Sequence, residues 1–136
     1  KLGYCPQDAL LFPQLTVNEH FTYFSKAYKI EREELHERCN VLLKHFNFKI
    51  YGNEKVANLS GGTKQKLNLS IALIHQPDLL ILDEPYNGFD WDTYLRFWEY
   101  TEQLIKNDCS ILIVTHFLND NTTFNKVYEL KKGQLQ

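Results

Sequence analysis

Leu79-Leu80-Ile81-Leu82-Asp83-Glu84-Pro85 decides the fold of this chain. A continuous apolar run closed by two acids and a proline reads as a central parallel strand, covered on both faces, that delivers its carboxylates to one end of a sheet. Ligands of α/β sheets bind at the carboxyl ends of the strands, which is where Asp83 and Glu84 fall. Neighbouring side chains on a strand point to opposite faces, so the two acids cannot do the same job. Asp83 is suited to hold Mg²⁺, directly or through water. Glu84 is suited to take a proton from an attacking water. A solvated strand end carrying charges is the plainer alternative, and the apolar run before the acids speaks against it.

Upstream of that strand, Leu59-Ser60-Gly61-Gly62-Thr63 leads into a helix expected over 63–76. Gly61 and Gly62 let the backbone approach a ligand with no Cβ in the way. The helix behind them offers unpaired amides and the positive end of its dipole, and Ser60 adds a hydroxyl. The natural ligand is an anionic phosphate. Ser60 as an ordinary cap before a flexible turn is the competing reading, and the strand that follows weighs against it. Beyond Leu67 the helix is apolar almost all round (Leu69, Ile71, Ala72, Leu73, Ile74), so it is expected to be buried.

Working outward, Leu2–Cys5 is a short strand broken by Pro6-Gln7-Asp8. Gln7 places a neutral amide just past that strand, able to touch Mg²⁺ or to position water; a surface loop residue is the plain alternative. Thr16 and Glu19 have the spacing of a capping box. Behind them Val17, Phe21, Phe24 and Tyr28 recur at helical spacing. A second helix starts near Glu31, with Leu35, Cys39, Leu42, Leu43 and Phe46 on its apolar face. The two helices predict a small helical lobe. Downstream, Asp90 or Asp92 caps a helix whose Tyr94, Leu95, Trp98, Leu104 and Ile105 are expected to face inward. Ser110–Val114 reads as a second buried strand ending in Thr115-His116. A short helical stretch to about Phe124 and a strand, turn and strand over 126–130, 131–133 and 134–135 complete the chain. With parallel strands, His116 shares an end with Asp83 and Glu84 and is able to donate to a γ-phosphate. His20, His36, His45 and His75 read as structural or surface residues. Strand and helix alternation implies an α/β sheet.

Composition bounds the rest. The chain has 136 residues, one domain's worth, with 43% hydrophobic and 24% charged residues, as in ordinary soluble globular proteins. A formal charge of -2 without a basic stripe argues against a nucleic-acid partner. Cys5, Cys39 and Cys109 are scattered and odd in number, which fits a reducing compartment and no zinc site. No apolar run approaches the roughly 18 residues of a membrane span. The lack of methionine, and a first strand already under way at Lys1, predict a piece of a longer chain. The glycosylation sequons at Asn58, Asn68 and Asn121 read as coincidental.

In order, Tyr4-Cys5-Pro6-Gln7, a helical lobe, Leu59-Ser60-Gly61-Gly62, Asp83-Glu84-Pro85, Asn87-Gly88-Phe89-Asp90 and Val114-Thr115-His116 resemble the ATP-binding-cassette (ABC) ATPase domain over essentially the whole chain. Tyr-Cys-Pro-Gln and Lys64-Gln65-Lys66-Leu67 look most like cassettes of ABC-A-like and ABC-2 type exporters. The resemblance implies a P-loop NTPase α/β core with a mainly parallel sheet and a small helical subdomain. It divides the chain into a strand and Q-loop (1–14), a helical subdomain with the signature motif (15–76), and the remainder of the core (77–136). Position by position, Gln7 matches the Q-loop glutamine, near Mg²⁺ and the γ-phosphate. Ser60, Gly61 and Gly62 match the signature loop that caps ATP held by an opposite cassette. Asp83 matches the Walker B aspartate, Glu84 the catalytic glutamate, Asp90 the D-loop aspartate and His116 the switch histidine.

The resemblance further implies ATP and Mg²⁺ as ligands, a head-to-tail partnership with a second ATPase domain, and a transmembrane transporter partner. It implies a place at the cytoplasmic face of a membrane and ATP hydrolysis that powers transport, with export as the expected direction. Thr63 replaces the commoner glutamine of the signature, and Asn87 and Phe89 depart from the commoner D-loop. No G-x-x-x-x-G-K-[ST] occurs, so the phosphate loop and the adenine-stacking aromatic are expected before Lys1, and these residues alone are expected not to hydrolyse ATP. The alternatives are a truncated, non-catalytic cassette acting as an interaction module, and a non-transport ABC ATPase. The short helical lobe argues against the chromosome-maintenance kind of the latter.

Overall fold

Three strands whose ends all carry candidate site residues lie side by side in parallel. β1 (Leu2–Cys5), β2 (Leu79–Asp83) and β3 (Ser110–Val114) form the sheet, with β2 in the middle. The register pairs Leu2 with Leu79, Cys5 with Leu82, and Asp83 with Val114. The computed structural model describes residues 1–116 and 123–136. The helical stretch expected up to Phe124 therefore lies mostly outside the described residues.

The chain between β1 and β2 forms the helical part. Thr16 caps α1 (Val17–Ala27) with the expected box: its hydroxyl accepts from Glu19 N, and the Glu19 carboxylate accepts from Thr16 N. α2 (Arg32–His45) follows, then two short 3₁₀ turns, Lys49–Tyr51 and Val56–Asn58. Val17, Phe21, Leu42, Leu43, Phe46 and Phe48 close the core of this lobe. α3 spans Gly61–Leu73, beginning two residues before the expected start and ending three before the expected end. The early start follows from Ser60, whose Oγ accepts from Thr63 N and draws both glycines into the first turn. Gln76, at a φ of 52°, turns the chain out of the helix ahead of Pro77.

α3 lies tightly on the sheet. A Cβ on Gly3 would come within 2.4 Å of the Ala72 carbonyl oxygen, so glycine is what lets helix and strand approach this closely. α4 (Trp91–Lys106) joins β2 to β3 and packs on the same side, where Phe97 lines a small apolar void together with Leu69, Leu73, Leu80 and Leu104. This one-sided packing corrects two expectations. β2 is not covered on both faces and β3 is not a buried strand. Leu80 and Leu82 are buried, whereas Leu79, Leu112 and Val114 are exposed with Leu2 and Tyr4 on the opposite face. An apolar run alone does not say how many faces are covered.

α4 carries a third correction. Leu95 and Ile105 are exposed, and Phe97 is the side chain at the core. At the end of the chain, β4 (Leu130–Lys131) and β5 (Gln134–Leu135) pair antiparallel. They begin later than the strand expected from residue 126. Lys132 and Gly133, both with positive φ, make the tight turn between them.

Of the histidines outside the carboxylate cluster, His20 and His75 are structural and His36 lies on the surface. His20 is fully buried; its Nδ1 donates to Thr16 O, and its Nε2 accepts from Phe12 N, which ties the loop after Gln7 to α1. His75 is buried, bonds through Nε2 to Leu2 O, and stacks on Tyr28 at 3.9 Å. Its Nδ1 has no partner among the described residues. Burial holds the His75 imidazole below the usual histidine range, against the pull of the Leu2 bond. Unfolded, the ring takes up a proton near the ordinary histidine pKa; folded, it resists until lower pH. Stability from this group is thus intact above that range and lost as pH falls through it. Denaturant midpoints are expected to drop between pH 7.5 and 5.5, and to drop less in His75→Gln. An equal drop in both proteins would remove His75 as the cause.

Candidate functional site

Parallel pairing brings the carboxyl ends of all three strands to one edge. There the chain places Gln7 after β1, Asp83 and Glu84 at the end of β2, and His116 after β3. Asp83 falls on the open face of the sheet, in phase with Ile81 and beside Val114. Its carboxylate makes no hydrogen bond or ion pair among the described residues. Its charge, secondary to burial, helps push the Cys5 thiol up to about 12, so that thiol stays protonated and inert. Gln7 is exposed at the rim of the same edge.

Glu84 turns the other way, as strand alternation demands. It is only 5% exposed, and its φ of 47° lies in the left-handed region that costs a non-glycine residue energy. The kink is fixed at both ends: Glu84 N donates to Val114 O, and Asn87 N donates to Glu84 O. Three donors meet its carboxylate. His116 N lies 2.8 Å and His116 Nδ1 2.5 Å from Oε1, and the Thr115 hydroxyl donates to Oε2 at 3.1 Å. Burial raises the Glu84 carboxyl, but the His116 bonds and the Thr115 hydroxyl outweigh it, and the group sits below its ordinary range. Glu84 is therefore an ionised carboxylate at neutral pH, buried yet fully hydrogen-bonded. The His116 side chain stays 67% exposed, so it bridges this carboxylate and the solvent edge.

The glycine loop lies at the other end of a short strut. The Ser60 hydroxyl accepts from Thr63 N at 3.2 Å and pairs with Thr63 Oγ1 at 2.9 Å. Ser60 thus is the helix cap of the plainer reading, while Ser60 and Gly61 remain exposed at the positive end of α3. Gly62 backs onto the turn after Glu84: a Cβ there would come within 2.9 Å of the Gly88 carbonyl oxygen. Asp90 caps α4 through Thr93 N at 2.8 Å, and that bond holds its carboxyl below the usual range. Of the eight candidate residues, the structure gathers Asp83, Glu84 and His116, leaves Gln7 on the same rim, and keeps Ser60, Gly61, Gly62 and Asp90 on a neighbouring surface.

Two residues that join these parts went unassigned in the sequence. Gln65 is buried and donates to Pro85 O at 2.9 Å. Asn68 is buried and donates to Pro6 O at 2.9 Å. From adjacent turns of α3 they tie the glycine loop to the carboxylate turn and to the start of the Gln7 loop. Two amides three residues apart, flanking Leu67 where the helix turns apolar, were the available signal, because buried amides need partners. Burial of Asn68 also excludes a glycan at that sequon in the folded chain.

Among the described residues, no cluster of three or more His, Cys, Asp or Glu side chains could hold a metal ion. Asp83 and Gln7 would offer two protein ligands, a carboxylate and an amide oxygen. That set fits Mg²⁺, which takes one or two protein ligands and completes its shell with water and phosphate oxygens, and it does not fit zinc.

Residues 1–87 match the model of a protein family described as ABC transporter. The chain is 32% identical to ABC transporter G family member 20 of Dictyostelium discoideum over 98% of its own length and 18% of that protein. It is 35% identical to ATP-binding cassette sub-family A member 17 of Mus musculus, over 99% of the chain and 8% of that protein. A solved structure described as the ATP binding subunit of an ABC transporter superposes with a TM-score of 0.81 at 30% identity, covering 86% of this chain and 49% of that one. The chain thus spans a minor part of the length of these relatives.

Proposed function

This chain belongs to the ABC transporter family, and from that premise we propose that it is part of a cassette that binds and hydrolyses ATP to drive movement of a substrate, in the export direction, across a membrane. The supporting observation is the state of Glu84: buried, kinked into a left-handed conformation, and held ionised by His116 and Thr115. Strain kept in place by surrounding hydrogen bonds is a mark of sites where a side chain must be aimed. In this reading Glu84 orients a water and receives its proton at a carboxylate oxygen. The exposed His116 imidazole donates toward the phosphate while its Nδ1 steadies Glu84. Asp83 and Gln7 would hold Mg²⁺, which supplies charge neutralisation during phosphoryl transfer. The phosphate loop that completes such a site is not among these residues, so the proposal concerns the full-length protein, and these residues alone would not turn over ATP.

Ser60, Gly61 and Gly62 form the second half of the proposal. Ser60 and Gly61 face outward on a helix start, with Gly62 backed onto the Gly88 turn, and Ser60 is not turned toward Glu84 but bonded within its own first turn. This favours a role on an ATP held by a second cassette, in a head-to-tail pair, with Asp90 beside the contact. Leu10, Phe12 and Tyr23 are exposed, with the Phe12 and Tyr23 rings 5.1 Å apart. We assign this patch, next to the Gln7 loop, to a transmembrane partner at the cytoplasmic face. Phe21, by contrast, is core. No described helix is long and apolar enough to cross a membrane itself.

Ser60→Gly tests the second half. Glycine is nearly as good a helix cap as serine, losing only a few tenths of a kcal/mol. The variant should keep its melting temperature while ATP-driven pairing of full-length cassettes weakens about tenfold, the scale of one hydrogen bond to a charged group. Sedimentation velocity with and without Mg·ATP reads the result. Undiminished pairing would place the ATP-facing hydroxyl elsewhere.

A further inference from the structure

We propose that Gln65 and Asn68 are positioning residues, a buried pair of amides through which α3 holds the Gln7 loop and the Glu84 turn in one fixed arrangement across the sheet edge. The inference rests on the reading of Gln7 as a Mg²⁺ ligand and of Glu84 as the base.

The ladder of the sheet stops short of both side chains. β1 is paired through Cys5 and β2 through Asp83. The Pro6 and Pro85 carbonyls lie past those residues and need partners elsewhere. Both belong to prolines, whose φ the ring already locks. Anchoring such a carbonyl fixes the peptide plane that follows it. After Pro6 that plane leads into Gln7. Pro85 is itself bonded to Glu84, so anchoring it holds the far side of the Glu84 kink.

α3 supplies both partners. Asn68 Nδ2 donates to Pro6 O and Gln65 Nε2 donates to Pro85 O, each at 2.9 Å. The two amides are also joined to each other. A side-chain amide nitrogen carries two protons. The second one on Asn68 is left for Cys5 Sγ at 3.3 Å and Gln65 Oε1 at 3.4 Å. One line of contacts thus runs from the peptide before Gln7, through Asn68 and Gln65, to the peptide after Pro85. The helix that bears the pair has little room to shift. A Cβ on Gly3 would lie 2.4 Å from Ala72 O, and one on Gly62 would lie 2.9 Å from Gly88 O, so α3 rests directly on β1 and on the turn after Glu84. A displacement of the Gln7 loop is therefore felt at Glu84.

The test uses the full-length protein and the variants Asn68→Leu, Gln65→Met and their pair, each close in shape to the native side chain but without its donors. Two quantities are read at a temperature where circular dichroism shows every protein folded. One is kcat for ATP. The other is the Mg²⁺ concentration that half-saturates binding of a fluorescent, non-hydrolysable ATP analogue. A role in stability alone would lower the melting temperature and move neither. Asn68→Leu is expected to raise the half-saturating Mg²⁺ about 3- to 10-fold, the scale of one lost hydrogen bond, and to lower kcat as well. Gln65→Met is expected to lower kcat by a similar factor, with a smaller rise in the Mg²⁺ requirement. The pair should lose less than the product of the single losses, as for contacts in one network. If Asn68→Leu does not fold, Asn68→Ser takes its place. Its hydroxyl ends one bond short of the Nδ2 position and can bond back to the helix, as Ser70 does to Lys66 O. Wild-type kcat and Mg²⁺ requirement in either folded single variant, or losses that multiply in the pair, would overturn the strut. Gln7→Ala and Glu84→Gln are the controls for the underlying reading. If Gln7→Ala leaves the Mg²⁺ requirement unchanged, or Glu84→Gln still turns over ATP, the site reading fails; if both controls respond while Asn68→Leu and Gln65→Met are wild type, only the strut falls.

Discussion

In the full-length protein, Glu84→Gln is expected to reduce ATP turnover by about 10²–10⁴-fold, the usual contribution of a positioned general base, while ATP remains bound. The side chain is buried, so the replacement must satisfy the same three donors. Glutamine can do most of this. Its carbonyl oxygen can accept from His116 N, and its amide can meet Thr115 Oγ1 if that hydroxyl rotates. The local fold should therefore survive, because the kink at Glu84 is set by the backbone bonds to Val114 and Asn87 rather than by the carboxylate. What glutamine cannot do is take a proton. The cassette should bind ATP, close and stall. Steady-state phosphate release, with nucleotide retained after rapid filtration, separates this outcome from unfolding or loss of binding. Turnover within twofold of wild type would refute the assignment of Glu84.

Why Glu84 and Asp83 were legible in sequence, while much around them was not, follows from the range of the interactions involved. The acid pair closes a run whose strand character is local, and alternation alone assigns the two side chains to different faces. The Thr16 cap is equally local, its reach being three residues. Sheet coverage is not local. β2 is apolar on both faces, but whether both are covered depends on chain far away, and here Leu79 and Leu112 stay exposed. The Gln65 bond to Pro85 spans 20 residues and the Asn68 bond to Pro6 spans 62. Neither amide announces its partner in the sequence, only its need of one. The site motifs could thus be read residue by residue, but not the struts that hold them in place.

Phe97→Ala is expected to destabilise the protein by about 3–5 kcal/mol, the range for emptying a buried aromatic site. Helical spacing did not single out this residue: Leu95, Trp98 and Ile105 look as apolar as Phe97, and α4 carries aromatics on more than one face. The difference lies in what each touches. Phe97 is 1% exposed, shares the core and one small apolar void with Leu69 and Leu73 of α3 and Leu80 of β2, and lies edge-on to the Tyr86 ring. Leu95 is 44% exposed. Leu95→Ala should accordingly change stability by no more than about 0.5 kcal/mol, as for an ordinary surface site. Urea denaturation of the two variants beside wild type compares them directly, and similar losses in both would contradict the one-sided packing of α4.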